Sequence, residues 1–273
     1  MDKKAFEIQF NWLFVLVAGA AILLFFTVIV VKQKSVSETS TKSTVLKSVE
    51  AIISSAQSTI DTTKKETIPS TQIDIECNRV SIGGVSKQYQ NLILFAPNSI
   101  KGDKLIWQTL GFNEPYRATN LLYMTNYQAR YILIGDSDLA KNVNKSLSNE
   151  LKKRLYSPSE AQLINNENDA KVAFMVFGDN INLPDTTKFL KMPDSDVIAI
   201  KVAPKGIDYG QIEFFQKNGN SWVSKGNSFY LGKQPLVGLL YSGSLEAYEC
   251  NMKNAFSRLK AVTEIYAVKN DAI

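Results

Sequence analysis

Histidine is absent from all 273 residues, and cysteine occurs only twice. Without imidazole there is no Ser-His-Asp or Cys-His nucleophilic centre, no His-ligated zinc and no ordinary general base for neutral pH. Cys77 and Cys250 are too few for a four-sulfur metal site and too far apart for a CxxC redox pair. Phosphate-cradling and nucleophile loops are missing too: there is no GxxxxGK[ST], GxGxxG or GxSxG. The nearest approach, GNSFYLG at 226–232, follows Ser228 with an aromatic pair and reads as a loop. Charge of one sign is also scarce. The net formal charge is +5, and from residue 73 onward 23 basic side chains face 20 acidic ones. The one basic triplet, Lys152-Lys153-Arg154, is expected near a helix end, where cations complement the dipole. No nucleic-acid footprint results.

What the chain does have is a long apolar run. Trp12 to Val31 is twenty residues without a charge, with Thr27 its only hydroxyl. As a helix rising about 1.5 Å per residue it spans roughly the 30 Å of a bilayer's hydrocarbon core, with its backbone satisfied internally. Cleavable secretory signals have apolar regions of about 7–15 residues before a small-residue site. Here the small cluster Ala18-Gly19-Ala20-Ala21 sits mid-run, with ten uncharged residues still to come. A retained anchor, contacting lipid through 12–31 behind a short tail 1–11, is the expectation.

Sidedness rests on opposing signals. Lys32, Lys34, Lys42 and Lys47 outnumber Lys3 and Lys4, which by flanking charge puts the large C-terminal part inside. Long domains translocate largely regardless of that charge, and residues 35–72 hold seventeen Ser or Thr in thirty-eight positions, as exposed stalks do. The expectation is a domain outside the cytoplasm on a stalk spanning 32–72.

The opening KKAFEIQFNWLFVLVAGAAILLFF resembles that of uncharacterised single-pass membrane proteins of archaea. More loosely it resembles archaeal pilin-type signals, in which a basic pair and a small residue precede the cut and the apolar helix becomes the filament core. Lys3-Lys4-Ala5 before Phe6 is similar to such a site. Glu7 would then be the second mature residue, whereas bacterial-type pilins carry Glu at the fifth, and Gln9 and Asn11 interrupt the apolar surface. YECNMKNAFSRLKAVTEIY resembles the same archaeal proteins. The resemblance implies an anchored, outward-facing protein, with a pilin-like subunit as an alternative.

Within the stalk, Leu46, Val49, Ile53, Ala56 and Ile60 recur at threes and fours, so 43–63 reads as an amphipathic helix. Its stripe fits either a second copy or another protein, or the chain's own domain. Pro69 with Ser70 and Thr71 marks a linker, and the domain is expected at 73–273. There QIDIE, RVSIGGVSKQY (a hairpin at Gly83-Gly84), NLILFAP, KLIWQTL, TNLLYMT and ARYILIG read as strands. A helix capped by Asp138 is expected from 139 to 156, its Leu139, Val143, Leu147, Leu151 and Leu155 stepping by four. Ser157-Pro158-Ser159-Glu160 is a capping box opening a short helix. KVAFMVF and DVIAIKVAP read as buried strands, TTKFLKM as a short helix, QIEFFQKNGNSWVS as a hairpin at Asn218-Gly219, and 236–269 as one long helix. Strand and helix alternate in the middle, so the fold class is α/β: a mixed, partly parallel sheet with flanking helices, preceded by one transmembrane helix.

Two patterns are candidate sites. YILIGD and FMVFGD place Asp136 and Asp179 after apolar strands. Carboxyl ends of parallel strands form the ligand crevice of open α/β sheets. If the strands are neighbours, these carboxylates, joined by Asp138 or Asp194, would offer oxygen ligands to Mg²⁺ or Ca²⁺; the alternative is ordinary Gly-Asp turn chemistry. Cys77 and Cys250 would either bridge the ends of the domain or remain two buried thiols. Trp107, Phe112, Tyr116 and Tyr123 read as core rather than as a recognition surface. The functional expectation is a membrane-anchored, non-catalytic domain for binding, adhesion or assembly at the cell surface, with no cofactor. The enzymatic alternative is a carboxylate- and metal-dependent hydrolase centred on Asp136 and Asp179.

Overall fold

The structure, a computed structural model, describes residues 3–90, 92–113, 116–165, 169–178 and 180–271. The chain divides into two compact units, Met1–Thr44 and Val45–Ile273. Helix α1 (Lys3–Ser58) supplies the described part of the first and begins the second. Its segment Trp12–Lys34, 23 residues that include an 18-residue stretch of mean hydropathy 3.0, has no buried residue and is long and apolar enough to cross a membrane.

In the second unit, residues 45–58 of α1 lie on a sheet. That sheet contains β1 (Thr63–Glu76), β2 (Arg79–Ile82), β3 (Val85–Gln88), β4 (Leu94–Phe95), β5 (Ser99–Asn113) and β6 (Arg117–Asn126), in the order β3-β2-β1-β5-β6-β4. All its pairings are antiparallel except β4 with β6. A second sheet follows from β7 (Ala129–Ile134), β8 (Lys152–Tyr156), β9 (Lys171–Phe177), β10 (Val197–Pro204), β11 (Tyr209–Asn218) and β12 (Ser221–Leu231). Its order is β12-β11-β10-β9-β7-β8, with the last four strands mutually parallel. The helices are α2 (Asp138–Ser146), α3 (Lys233–Tyr241) and α4 (Leu245–Asp271). The α/β class expected from the sequence holds, with the strands shared between two mixed sheets.

Three apolar layers hold these elements together. Val45, Val49, Ile52, Ile53 and Ala56 are buried on one face of the first sheet with Ile73, Val80, Trp107 and Met124. Its other face joins α2, α3, α4 and the second sheet in the main core, where Phe95, Tyr123, Tyr131, Met175, Leu240 and Tyr248 meet. A third cluster, including Phe174, Val176, Phe189 and Met192, covers the far face of the second sheet. Helix α3 lies within the main core, and every residue from Pro235 to Tyr241 is buried. A helix apolar on all sides is stable only when wrapped in this way. At Gly238 an added Cβ would sit 2.8 Å from the Phe95 ring, so glycine is what lets the helix approach the first sheet.

Several boundaries differ from the sequence-based expectation. The folded unit begins at Val45, not at residue 73, because the stripe on 45–58 is buried against the chain's own sheet. Of the expected seam only Ile60 is exposed, beyond the helix end. The stretch around Pro69 is part of β1, where the pairing with β5 shifts register between Thr67 and Thr71. Proline has no N–H to give a ladder, and such irregularities are where strands accommodate it. The helix expected over 139–156 ends at Ser146, and Lys152–Tyr156 forms the edge strand β8. Ser137, rather than Asp138, caps α2, its Oγ accepting from Ala140 N at 3.2 Å. The long C-terminal helix is two: Ser242 ends α3 and Ser244 Oγ accepts from Ala247 N at the start of α4. Between them a Cβ on Gly243 would meet Asn98 N at 2.6 Å.

Candidate functional site

Strands β7 and β9 are parallel neighbours, Ile134 beside Val176, so the two Gly-Asp endings lie at the same end of the second sheet. Gly135 and Gly178 take positive φ of 148° and 134°, a conformation that glycine supplies at turns. Asp136 is exposed. Asp179 lies outside the described residues. Asp138 is exposed and pairs with Lys141 at 3.3 Å. Asp194 is at the opposite end of the strands, before β10, where its carboxylate accepts from Lys217 and from Gly219 N. Those bonds, the Lys217 ammonium first, hold its pKa below the usual carboxylate range. Among the described residues no group of three or more His, Cys, Asp or Glu is placed to hold a metal ion.

Cys77, in the turn after β1, and Cys250, on α4, are joined by a disulfide across 173 positions with Cα atoms 6.1 Å apart. That spacing lies in the ordinary range for the bond. Two asparagines on the same helix add polar pins. Asn251 Oδ1 accepts from Leu94 N at 2.7 Å, and Asn254 Nδ2 donates to Leu92 O at 2.8 Å and to Asn78 Oδ1 at 3.0 Å. The short strand β4 and its lead-in thus borrow hydrogen bonds from α4 that a longer ladder would have supplied.

At the other end of the inter-sheet space is a cavity of about 280 Å³. Ile100, Lys101 and Asn126 line it from the first sheet, Lys171 from the second, and Ser195 and Asp196 from the turn that leads into β10. Its position follows from register. Ala173, Met175 and Phe177 of β9 belong to the main core between the sheets, and alternation puts Lys171, two residues earlier, on that same face. Val172 pairs with Val197, so Asp196, the last residue of the turn that leads into β10, lies next to the level of Lys171. Lys171 is 6% exposed, and its ammonium makes no hydrogen bond or ion pair among the described residues. Burial pushes its pKa down to about 8, with the Asp196 carboxylate opposing that shift. Asn126 donates through Nδ2 to Lys101 O at 3.2 Å, while its Oδ1 is buried without a donor. The cavity therefore presents a cation with no partner among the described residues and a half-buried carboxylate, with the Asn126 amide at its wall.

Other buried cations of this sheet are paired. Arg130 lies 3.5 Å from Asp169, which Lys152 approaches at 3.4 Å, and Arg130 also donates to Asn165 O at 2.8 Å. Lys217 has Asp194. The triplet Lys152-Lys153-Arg154 lies on β8 rather than in a helix, yet Lys153 Nζ donates to Asn144 O and Leu147 O at the C-terminal end of α2. Trp107, Phe112 and Tyr123 are core, while Tyr116 is exposed and stacks on Tyr266 at 4.5 Å. Sequence reasoning passed over Lys171. Its signal was a lysine opening an otherwise wholly apolar strand, close behind Asp169.

Compared with protein-family models, with curated proteins and with solved structures, the chain matches none.

Proposed function

We propose that this is a single-pass membrane protein whose residues 45–273 work outside the cytoplasm as a non-catalytic domain for binding, adhesion or assembly at the cell surface. The pairing of Cys77 with Cys250 carries the reading. Disulfides persist in oxidising compartments, whereas cytosolic thiols are kept reduced. The apolar segment Trp12–Lys34 supplies the anchor, and the Ser/Thr-rich composition after it suits an exterior setting. Non-catalytic work is favoured by the lack of histidine and by the small number of candidate groups. The polar cavity at Lys171 is suited to holding a ligand.

Two measurements test this. Protein alkylated in the cell and then denatured without reductant should show no reactive thiol, and protease added to intact cells should remove the 45–273 domain. Two reactive thiols together with a protected domain would overturn the assignment.

A further inference from the structure

Two sheets that diverge around a layer of helices leave a gap wherever no helix fills it, and apolar side chains ordinarily close such a gap. Here it holds polar groups instead. Lys171 rises from the core-facing side of β9 into a cavity of about 280 Å³ with no acceptor from the described protein. Asn126 Oδ1 is buried at the wall with no donor among the described residues, and the Asp196 carboxylate accepts from the neighbouring Ser195 hydroxyl at 3.3 Å. Asp196 is half-buried, whereas a buried ammonium without an acceptor and a buried amide oxygen without a donor are costly unless a ligand completes them.

The ligand's chemistry can be read from the inventory. The ammonium has three donors to give and calls for an anionic acceptor. Asp196 and Asn126 Oδ1 accept only, so they call for a donor, and the carboxylate favours a charged one. Lys171 and Asp196 sum to zero charge, and Lys101 at the rim is exposed. A plain anion would meet Asp196 as a like charge, and a plain cation would meet Lys171. A molecule carrying both signs close together meets neither objection. The volume lies just under the range of about 300–1,000 Å³ typical of drug-sized sites, so the occupant is small.

The geometry points to a binding site for a small zwitterion, a free α-amino acid, whose carboxylate accepts from Lys171 and whose ammonium donates to Asp196 and Asn126. A bound carboxylate would also restore the charge that burial disfavours on this amine. The inference deepens the reading of 45–273 as a binding domain and does not depend on which side of the membrane it occupies.

The test is calorimetric titration of the full chain in detergent micelles with free L-amino acids, each compared with its N-acetyl derivative, its α-amide and the corresponding 2-hydroxy acid. At least one free amino acid should bind saturably, with each derivative weaker by about tenfold or more, the loss expected for one charge-assisted bond. Lys171→Met should abolish the binding. Asp196→Asn should weaken it by about tenfold or more while the circular dichroism spectrum is unchanged. Bound amino acid should also slow the labelling of Lys171 by an amine reagent at pH 8. The inference is overturned if no free amino acid binds, if derivatives bind as tightly as their parents, or if binding survives Lys171→Met. The thiol and protease experiments are indifferent to all of these results, so this inference and the assignment of compartment fail separately.

Discussion

An amine buried without a partner should leave its mark on stability as a function of pH. Lys171 has its pKa pushed from 10.5 down to about 8. In the unfolded chain it ionises near the ordinary lysine value. Below pH 8 both states hold the proton, and the native state carries the full cost of burying the charge. Between about 8 and 10.5 the unfolded state binds more protons, so this group makes stability rise with pH; above that window both states are neutral and the cost is gone. At 1.36 kcal/mol per pKa unit the cost is about 3 kcal/mol near neutrality. Lys171→Met keeps the length of the side chain and removes the charge. The variant should therefore be more stable than the parent at pH 7 by about 3 kcal/mol, and the advantage should shrink towards zero by pH 10.5. Urea unfolding followed by tryptophan fluorescence, run on both proteins at matched pH, measures this. The difference must be used rather than either curve alone. Burial also raises the pKa values of Tyr123, Tyr131, Tyr241 and Tyr248, and a phenol that resists ionisation in the native state makes stability fall at alkaline pH. Both proteins share that loss, so it cancels. The charged neighbours at the cavity, Asp196 and Lys101, are likewise common to both. Equal stability at pH 7, or a gap that does not change with pH, would refute the reasoning.

Other expectations follow from packing. Cys250→Ser opens a loop of 173 residues, for which chain entropy gives a loss of about 5 kcal/mol, and thermal melting should show most of it without reductant and none of it with reductant. Gly238→Val pushes a branched side chain into the Phe95 ring, and denaturant melts should show a loss of about 1–3 kcal/mol or more. Val49→Asp places an unpaired carboxylate under the first sheet and should cost several kcal/mol; a melting temperature equal to the parent's would mean that 45–58 is a free stalk after all.

Much of this fold could be read from residue order, and the exceptions have identifiable causes. KVAFMVF and DVIAIKVAP are recognisable as strands because both faces of a parallel sheet are covered, which leaves a continuous apolar run. Leu147, Leu151 and Leu155 step by four, which suggests a helix. A spacing of four also returns to the same face of a strand, because four is a multiple of two, so the pattern does not distinguish α2 from β8. At 242–244 the apolar helical pattern of α3 runs on into α4, and only Ser-Gly-Ser marks the break. The stripe on 45–58 was visible, but its partner was not: amphipathicity says that a face will be covered, not by what. The cavity was least legible of all. Ile100, Asn126, Lys171 and Asp196 come together only through the pairing of β9 with β10 and the stacking of two sheets, and no local pattern encodes either.

The buried cations of the second sheet differ in a way that bears most directly on function. Arg130 has Asp169, and Lys217 has Asp194, so this sheet can bury a positive charge beside a matching carboxylate. Leaving one partner out of such a pair typically costs a protein several kcal/mol. Lys171 lies on β9 beside the strand that carries Arg130, and Asp196 is near enough to favour its charge but does not reach ion-pair distance. Methionine or leucine there would extend the apolar run of β9 by one residue and relieve the cost. A lysine at that position lowers the stability of the domain by itself, and the same unmet donors become favourable once something with acceptors fills the space. Stability lost at a site and recovered on binding is what a ligand pocket requires and what a purely structural core position has no use for. If Lys171→Met stabilises the fold and no ligand distinguishes it from the parent, the lysine is a defect that the domain tolerates. If the variant is both more stable and unable to bind, the destabilisation and the binding have the same origin.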